Sequence, residues 1–253
     1  MIFLAFAFGL WLGVLRGKKV GINSNDIMDF TVWMMISALI GARLTYVVTH
    51  LSEYAAHPLD AISPIQSDGT IGIAGLVVLG GVIFAIPTAY YFAKRRNIPY
   101  FKLTDVMMPS LAFGLAIGRV GCFLNGCCFG LPTDGVFGVI FPSTCLAGSV
   151  YPHNPIHPTQ LYDLFYNGVI GIILIWWTPK KRFDGELFVL FLTLYGFGRF
   201  WVENLRYYPE AGHLFNIGSV QVTGSGLVSL AMIAAGVTLF VKGRSAKVKH
   251  DKR

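Results

Sequence analysis

Apolar residues run through this chain in long blocks, not in the alternation of a half-buried strand or the narrow stripe of a surface helix. The blocks lie at about Met1 to Leu15, Ile27 to Val48, Gly72 to Ala93, Asp105 to Leu124, Leu161 to Trp177, Glu186 to Leu205 and Gly224 to Val241. Most approach or exceed the ~18 apolar residues that a helix needs to cross hydrocarbon. The pattern predicts an all-α polytopic membrane protein with about seven transmembrane helices, forming a single integral membrane domain over residues 1–253. The first block is short for a crossing. Its charge follows the apolar run, the reverse of a signal peptide, so it is expected to be the back half of a truncated first helix. The fourth and fifth blocks carry the most polar interruption. Between them, Asn125 to Gln160 contains prolines and glycines but no Lys or Arg. It is expected to be a loop-rich extracytoplasmic insertion.

Composition agrees with the block pattern. Hydrophobic residues make up 54% of the chain and charged residues 13%, and the mean hydropathy is +0.60, far from the balance of a soluble domain. The formal charge of +7 does not imply a nucleic-acid partner. The basic residues sit in short clusters beside apolar blocks, and no soluble segment carries a basic face interleaved with aromatics.

Those clusters set the orientation. Arg16, Lys18 and Lys19 follow the first block, Lys94, Arg95, Arg96 and Lys102 the third, Lys180, Lys181 and Arg182 the fifth, and six further Lys and Arg the seventh. By the positive-inside rule these loops are cytoplasmic, which places the N-terminus outside and the C-terminus inside. Only Arg43, Arg119, Arg199 and Arg206 break the rule. Each falls late in a block that runs from inside to outside, so all four are expected at one depth near the outer face. Ionisable side chains at such depth mark functional sites more often than not, although a lone arginine such as Arg43 also snorkels to headgroups.

In the sixth block, Arg199, Glu203 and Arg206 are spaced to share one helix face, two cations flanking a carboxylate. His157, Gln160, Tyr162 and Asp163 stand at the outer entry of the fifth. Guanidinium forks grip phosphate oxygens in pairs, so the set suits an anionic phospholipid headgroup. A transferase needs a proton acceptor as well, a role open to Glu203, His157 or Asp163. Gly118 to Gly130 alternates glycines with Arg119 and Asn125 where the helix should break, which suits a backbone approaching a ligand. Cys122, Cys127, Cys128 and Cys145 do not have the spacing of paired zinc ligands. A disulfide or packed thiols explains them more simply, and neither a metal nor a cofactor is expected.

These residues resemble a family. Gly118, Arg119, Asn125, Gly126 and Gly130 are similar to the signature of prolipoprotein diacylglyceryl transferases. His157, Pro158, Thr159, Gln160, Leu161, Tyr162 and Asp163 resemble its His-Pro-Ser/Thr-Gln-Leu-Tyr-Glu block, with Asp at the end. Tyr195, Gly196, Arg199, Phe200, Glu203 and Arg206 resemble its late arginine helix. The resemblance implies transfer of the diacylglyceryl group of phosphatidylglycerol to the lipobox cysteine of a prolipoprotein, in the bacterial inner membrane. It assigns Arg119, Arg199, Glu203 and His157 to catalysis. Arg43, Asn125, Gly126, Gly130, Gln160, Tyr162, Asp163, Tyr195 and Arg206 are assigned to substrate binding. The chain departs from the pattern at Cys122, Cys127 and Leu79, where the family usually has Asn, Glu and His, and it lacks the family's tyrosine of the first helix. Two rival readings use other features of the chain: a lipid-binding or transport protein on the same scaffold, and a thiol oxidoreductase built on the four cysteines.

Overall fold

A computed structural model describes residues 1–54, 77–208, 213–217 and 220–250, with the side chains of 52–53, 213–217, 220–222 and 246–250 excepted. The start of the third apolar block, at Gly72, lies outside the described residues. The long helices are α1 (Ile2–Lys19), α2 (Ser24–Thr49), α4 (Val78–Arg95), α5 (Tyr100–Asn125), α7 (Thr159–Trp177), α8 (Glu186–Glu203) and α9 (Gly224–His250), one over each apolar block. Two short helices, α3 (Leu51–Tyr54) and α6 (Leu146–Val150), lie in connections. The helical class expected from sequence holds. The exception is an antiparallel ribbon of β1 (His213–Ile217) and β2 (Val220–Thr223).

Four helices among the described residues are long and apolar enough to cross a membrane: Ser24–Thr49, Tyr100–Asn125, Thr159–Lys180 and Gly224–Ser245. The blocks that polar residues interrupt, the fourth and fifth, are among them. Helices α1, α4 and α8 have 18 residues each, about 27 Å at 1.5 Å per residue, slightly less than a ~30 Å hydrocarbon core. In the first and last of the four apolar helices only 17% of the window is buried. Side chains such as Ile36, Leu39, Ile40, Leu230 and Val237 therefore point outward. A face this apolar is stable only against lipid or protein.

The chain divides into two compact units, residues 17–103 and residues 1–16 with 104–253. In the first unit, α2 and α4 cross at their glycines. A Cβ on Gly80 would lie 2.5 Å from the carbonyl oxygen of Gly41, and one on Gly41 would lie 2.6 Å from that of Gly80. Backbones this close are the usual solution where lipid supplies no hydrophobic drive between helices. Arg96 closes the end of the pair on Asp26 and Asp29.

In the second unit, α5, α7 and α8 pack around Met108, Ala112, Ile170, Leu174, Leu187 and Phe191. Asp105 is buried at the start of this packing. Its Oδ1 accepts from the amides of Leu187 and Phe188 at 3.0 and 3.1 Å, its Oδ2 from Gly185 N at 2.9 Å and from Lys181 Nζ at 3.0 Å. A carboxylate from a neighbouring helix thus satisfies the otherwise unpaired amides that begin α8 and complements its dipole. Arg16 joins the same end of the unit, donating to Val106 O at 3.2 Å and to Thr178 Oγ1 at 3.1 Å.

Candidate active site

Asp105 and Arg119 are fourteen residues apart on α5, about 21 Å along the axis, so Arg119 stands at the opposite end of the unit. There the last turns of α5 and α8 meet the first turn of α7. Thr159, Gln160, Asp163 and Asn167 occupy the inward stripe of α7 and are all buried. An Nε to Oδ2 contact of 2.9 Å pairs Arg119 with Asp163. On α8, Arg199 and Glu203 are paired at 2.8 Å, as their spacing of four predicts. Asp163 acts electrostatically on both Arg119 and Arg199, and so does Tyr195. The result is one row of alternating charge across three helices: Arg119, Asp163, Arg199, Glu203.

The protein leaves parts of this row unsatisfied. Arg199 Nη1, Asp163 Oδ1 and Gln160 Oε1 are buried without a protein hydrogen-bond partner, while the Tyr166 hydroxyl has the Asn167 amide beside it. Buried polar groups are nearly always paired, so three orphans on neighbouring residues mark a place where a polar ligand completes the bonding. Glu203 is the opposite case. Its Oε2 takes Arg199 and, at 3.0 Å, the Tyr208 hydroxyl, while Oε1 takes the Thr223 hydroxyl. Tyr208 also lies 3.0 Å from Arg199 Nη2. Burial raises the phenol of Tyr208 above its ordinary value, so it stays a donor at neutral pH.

The segment between α5 and α7 is irregular but ordered around Phe129, Phe141, Ala147 and Ile156. Gly126 turns the chain with φ of 64° where a Cβ would lie 2.4 Å from Cys145 Sγ. At Gly130 the added carbon would lie 2.6 Å from Leu205 O and 2.7 Å from His157 Cβ. Both glycines therefore act as backbone spacers that let three strands of chain meet. Gln160 Nε2 and Thr159 Oγ1 donate to the carbonyls of Cys127 and Cys128, each at 2.8 Å. His157 Nδ1 lies 3.2 Å from Tyr162 Oη, and the Tyr162 ring packs on Trp201. A cavity of about 650 Å³, lined mainly by apolar groups such as Val136, Leu161, Phe165 and Trp201, opens beside this pair.

Arg206 departs from its expected place. Helix α8 stops at Glu203, and Arg206 pairs through its backbone with Gly130. The cause is local: Leu131 N and Tyr207 N bond to Leu205 O and Phe129 O, pulling the chain out of helical register. Its guanidinium lies over the Tyr208 ring, 5.7 Å from the centroid. Asn125 ends α5 with its side chain exposed. Arg43 belongs to the other unit, where it is buried with its guanidinium over the rings of Tyr46 and Tyr54. The sequence reading missed Tyr208, Thr223, Tyr166 and Asn167. Only Asn167 carried a signal, four residues after Asp163 in an otherwise apolar run.

The thiols meet as well. All four cysteines are free, and the sulfurs of Cys122, Cys127 and Cys128 lie within 4.8 Å of one another. The Cys128 thiol is lowered to about 5 by its hydrogen bond with Cys122, against burial that raises it, with help from Arg206 and Arg119.

Residues 1–242 match the family described as prolipoprotein diacylglyceryl transferase. Among similar proteins, the phosphatidylglycerol–prolipoprotein diacylglyceryl transferase of Finegoldia magna is 33% identical over 100% of this chain and 93% of its own length. That of Bacillus cereus is 34% identical over 97% and 86%, and that of Clostridium tetani 30% identical over 89% and 84%. With a match across nearly its full length, this chain belongs to the prolipoprotein diacylglyceryl transferase family.

Proposed function

We propose that the protein transfers the diacylglyceryl group of phosphatidylglycerol to the thiol of a prolipoprotein lipobox cysteine. It does so from seven helical spans in the bacterial inner membrane, with the N-terminus outside, the C-terminus cytoplasmic and segment 126–158 outside. Arg119 and Arg199 grip the lipid phosphate, with the free Nη1 of Arg199 as the donor waiting for it. The incoming sulfur attacks the glyceryl carbon, forming the C–S bond. The C–O bond to phosphate breaks, and its electron pair leaves with glycerol phosphate. The two guanidiniums stabilise the charge that builds on that oxygen. The substrate thiol passes its proton to His157, which Tyr162 orients. Glu203, with every oxygen engaged, holds Arg199 in place. Gln160, Tyr195 and Arg206 border the headgroup, and the apolar cavity beside Tyr162 takes an acyl chain or the signal peptide.

The reading is carried by the convergence of Arg119 and Arg199 on Asp163 with Arg199 Nη1 left unpaired. The test is Arg199→Ala, assayed with phosphatidylglycerol and a lipobox peptide in membranes. Transfer should fall by roughly 10²–10³ while the chain still accumulates folded. Normal transfer would remove the assignment. Retained phospholipid binding in a wild-type chain that makes no lipidated product would favour the lipid-binding protein instead.

A further inference from the structure

The end of α5 is bent so that three thiols face one point. Cys122 lies in its last turn. The turn at Gly126 carries Cys127 N back to within 3.1 Å of Cys122 O. Cys128 then takes a left-handed φ of 61°, which a residue with a side chain adopts only when its surroundings impose it. The imposing contacts are those of buried Thr159 and Gln160 on the two cysteine carbonyls. The sulfurs end within 4.8 Å of one another, and Cys128 hydrogen-bonds to both of its neighbours.

Zinc binds sulfur at about 2.3 Å, which places tetrahedral ligand sulfurs about 3.8 Å apart. The present triangle needs only a small contraction to reach that size. Sulfur ligands select zinc and copper(I) over the harder cations. Three thiolates around zinc(II) carry a net charge of −1, and the guanidiniums of Arg119 and Arg206 lie within Coulombic reach of Cys128 to balance it.

We propose that Cys122, Cys127 and Cys128 bind one thiophilic d10 cation, zinc(II) or copper(I), through their three sulfurs. Their remaining thiol protons are released to solvent on binding. Three protein ligands leave the fourth position of a tetrahedral ion open to an outside sulfur or oxygen. The adjacent pair Cys127 and Cys128 lacks paired-ligand spacing in sequence; the chain reversal at Gly126, not the spacing, makes the set. Metal binding here does not depend on the transfer reaction, so the two readings stand or fall separately.

The full chain, purified in detergent under reducing and metal-free conditions, is titrated with zinc alone and, anaerobically, with copper(I) alone. One equivalent should bind, and the metal should protect Cys122, Cys127 and Cys128 from maleimide while Cys145 still reacts. Cobalt(II) in its place should give sulfur-to-metal charge-transfer absorption. Each of Cys122→Ser, Cys127→Ser and Cys128→Ser should weaken binding by at least the ~10–100-fold that losing an outer-shell partner costs, with Cys145→Ser unchanged. The tighter of the two arms names the ion. Failure of both ions to bind wild type stoichiometrically would overturn the proposal, as would unchanged affinity in the folded triple variant. Should the variants not fold, wild-type cysteines that stay reactive in the presence of metal overturn it equally.

Discussion

Glu203 holds Arg199 through a triangle with Tyr208, and the phenol is the member whose removal leaves the charges intact. Tyr208→Phe removes one donor from Glu203 and one contact from Arg199, a change worth about 1.4 kcal/mol. Transfer in this variant should fall about tenfold, with the thermal midpoint lowered by only a few degrees. A loss as large as that of Arg199→Ala would mean that the phenol touches the reacting lipid. Asp163 is different, because Arg119 would be left at a largely buried site without its carboxylate. Asp163→Ala should therefore cost stability of about 2 kcal/mol after discounting for the partial exposure of Arg119, and Asp163→Asn less. Thermal unfolding in detergent checks both; equal stability of Asp163→Ala and wild type would remove Asp163 as the anchor. The pair on α8 was legible in sequence, because a spacing of four on a helix fixes contact. The partnership of Asp163 with Arg119 was not, since it depends on how two helices dock. Arg206 misled for a related reason: its spacing of three counts only if the helix continues, and pairing with Gly130 ends it first.

At the scale of elements, helix positions followed the apolar blocks closely, because each block is long enough to choose helix over strand by length alone. The ribbon of β1 and β2 lies outside any block and had no such signal. What joins the helices of the second unit at their lower end was also hidden. Asp105 read as the edge of an apolar block, yet it accepts three backbone amides at the start of α8 and pairs with Lys181. Asp105→Ala leaves those amides without an acceptor, which should lower stability by about 3 kcal/mol. Asp105→Asn, keeping one oxygen, should recover part of it. Lys181 adds a pH signature. Burial alone would lower its ammonium, but Asp184 and Asp105 outweigh that and raise it. A raised cation stabilises the fold fully below its unfolded value, ~10.4, and loses that contribution as pH climbs through the folded value above it. Unfolding midpoints in detergent should therefore drop more steeply above pH ~10 in wild type than in Lys181→Met. Parallel curves would show that the pair does not form.

At the scale of the molecule, the second unit has two chemically different ends. One holds Arg16, Lys181 and the Asp105 network; the other, fourteen residues further along α5, holds Arg119, Asp163 and the thiols. Helices α5 and α8 run parallel, because Asp105 meets the first residues of α8 while Arg119 and Arg199, towards the C-terminal ends of the two helices, share Asp163. Helix α7, which supplies Asp163 near its start, runs against both. Parallel neighbours need a crossing between them, and α7 is that crossing. A chain that enters the membrane with α5, returns with α7 and enters again with α8 must expose segment 126–158 on one side and the Thr178 to Gly185 turn on the other. In the orientation proposed above, the turn with Lys180, Lys181 and Arg182 faces the cytoplasm. In a variant with all four cysteines changed to serine, Asp134→Cys should then react with a membrane-impermeant maleimide on intact cells. Lys180→Cys should react only after the membrane is opened. The reverse pattern would turn the molecule over and place the arginine site on the cytoplasmic face, away from exported prolipoproteins.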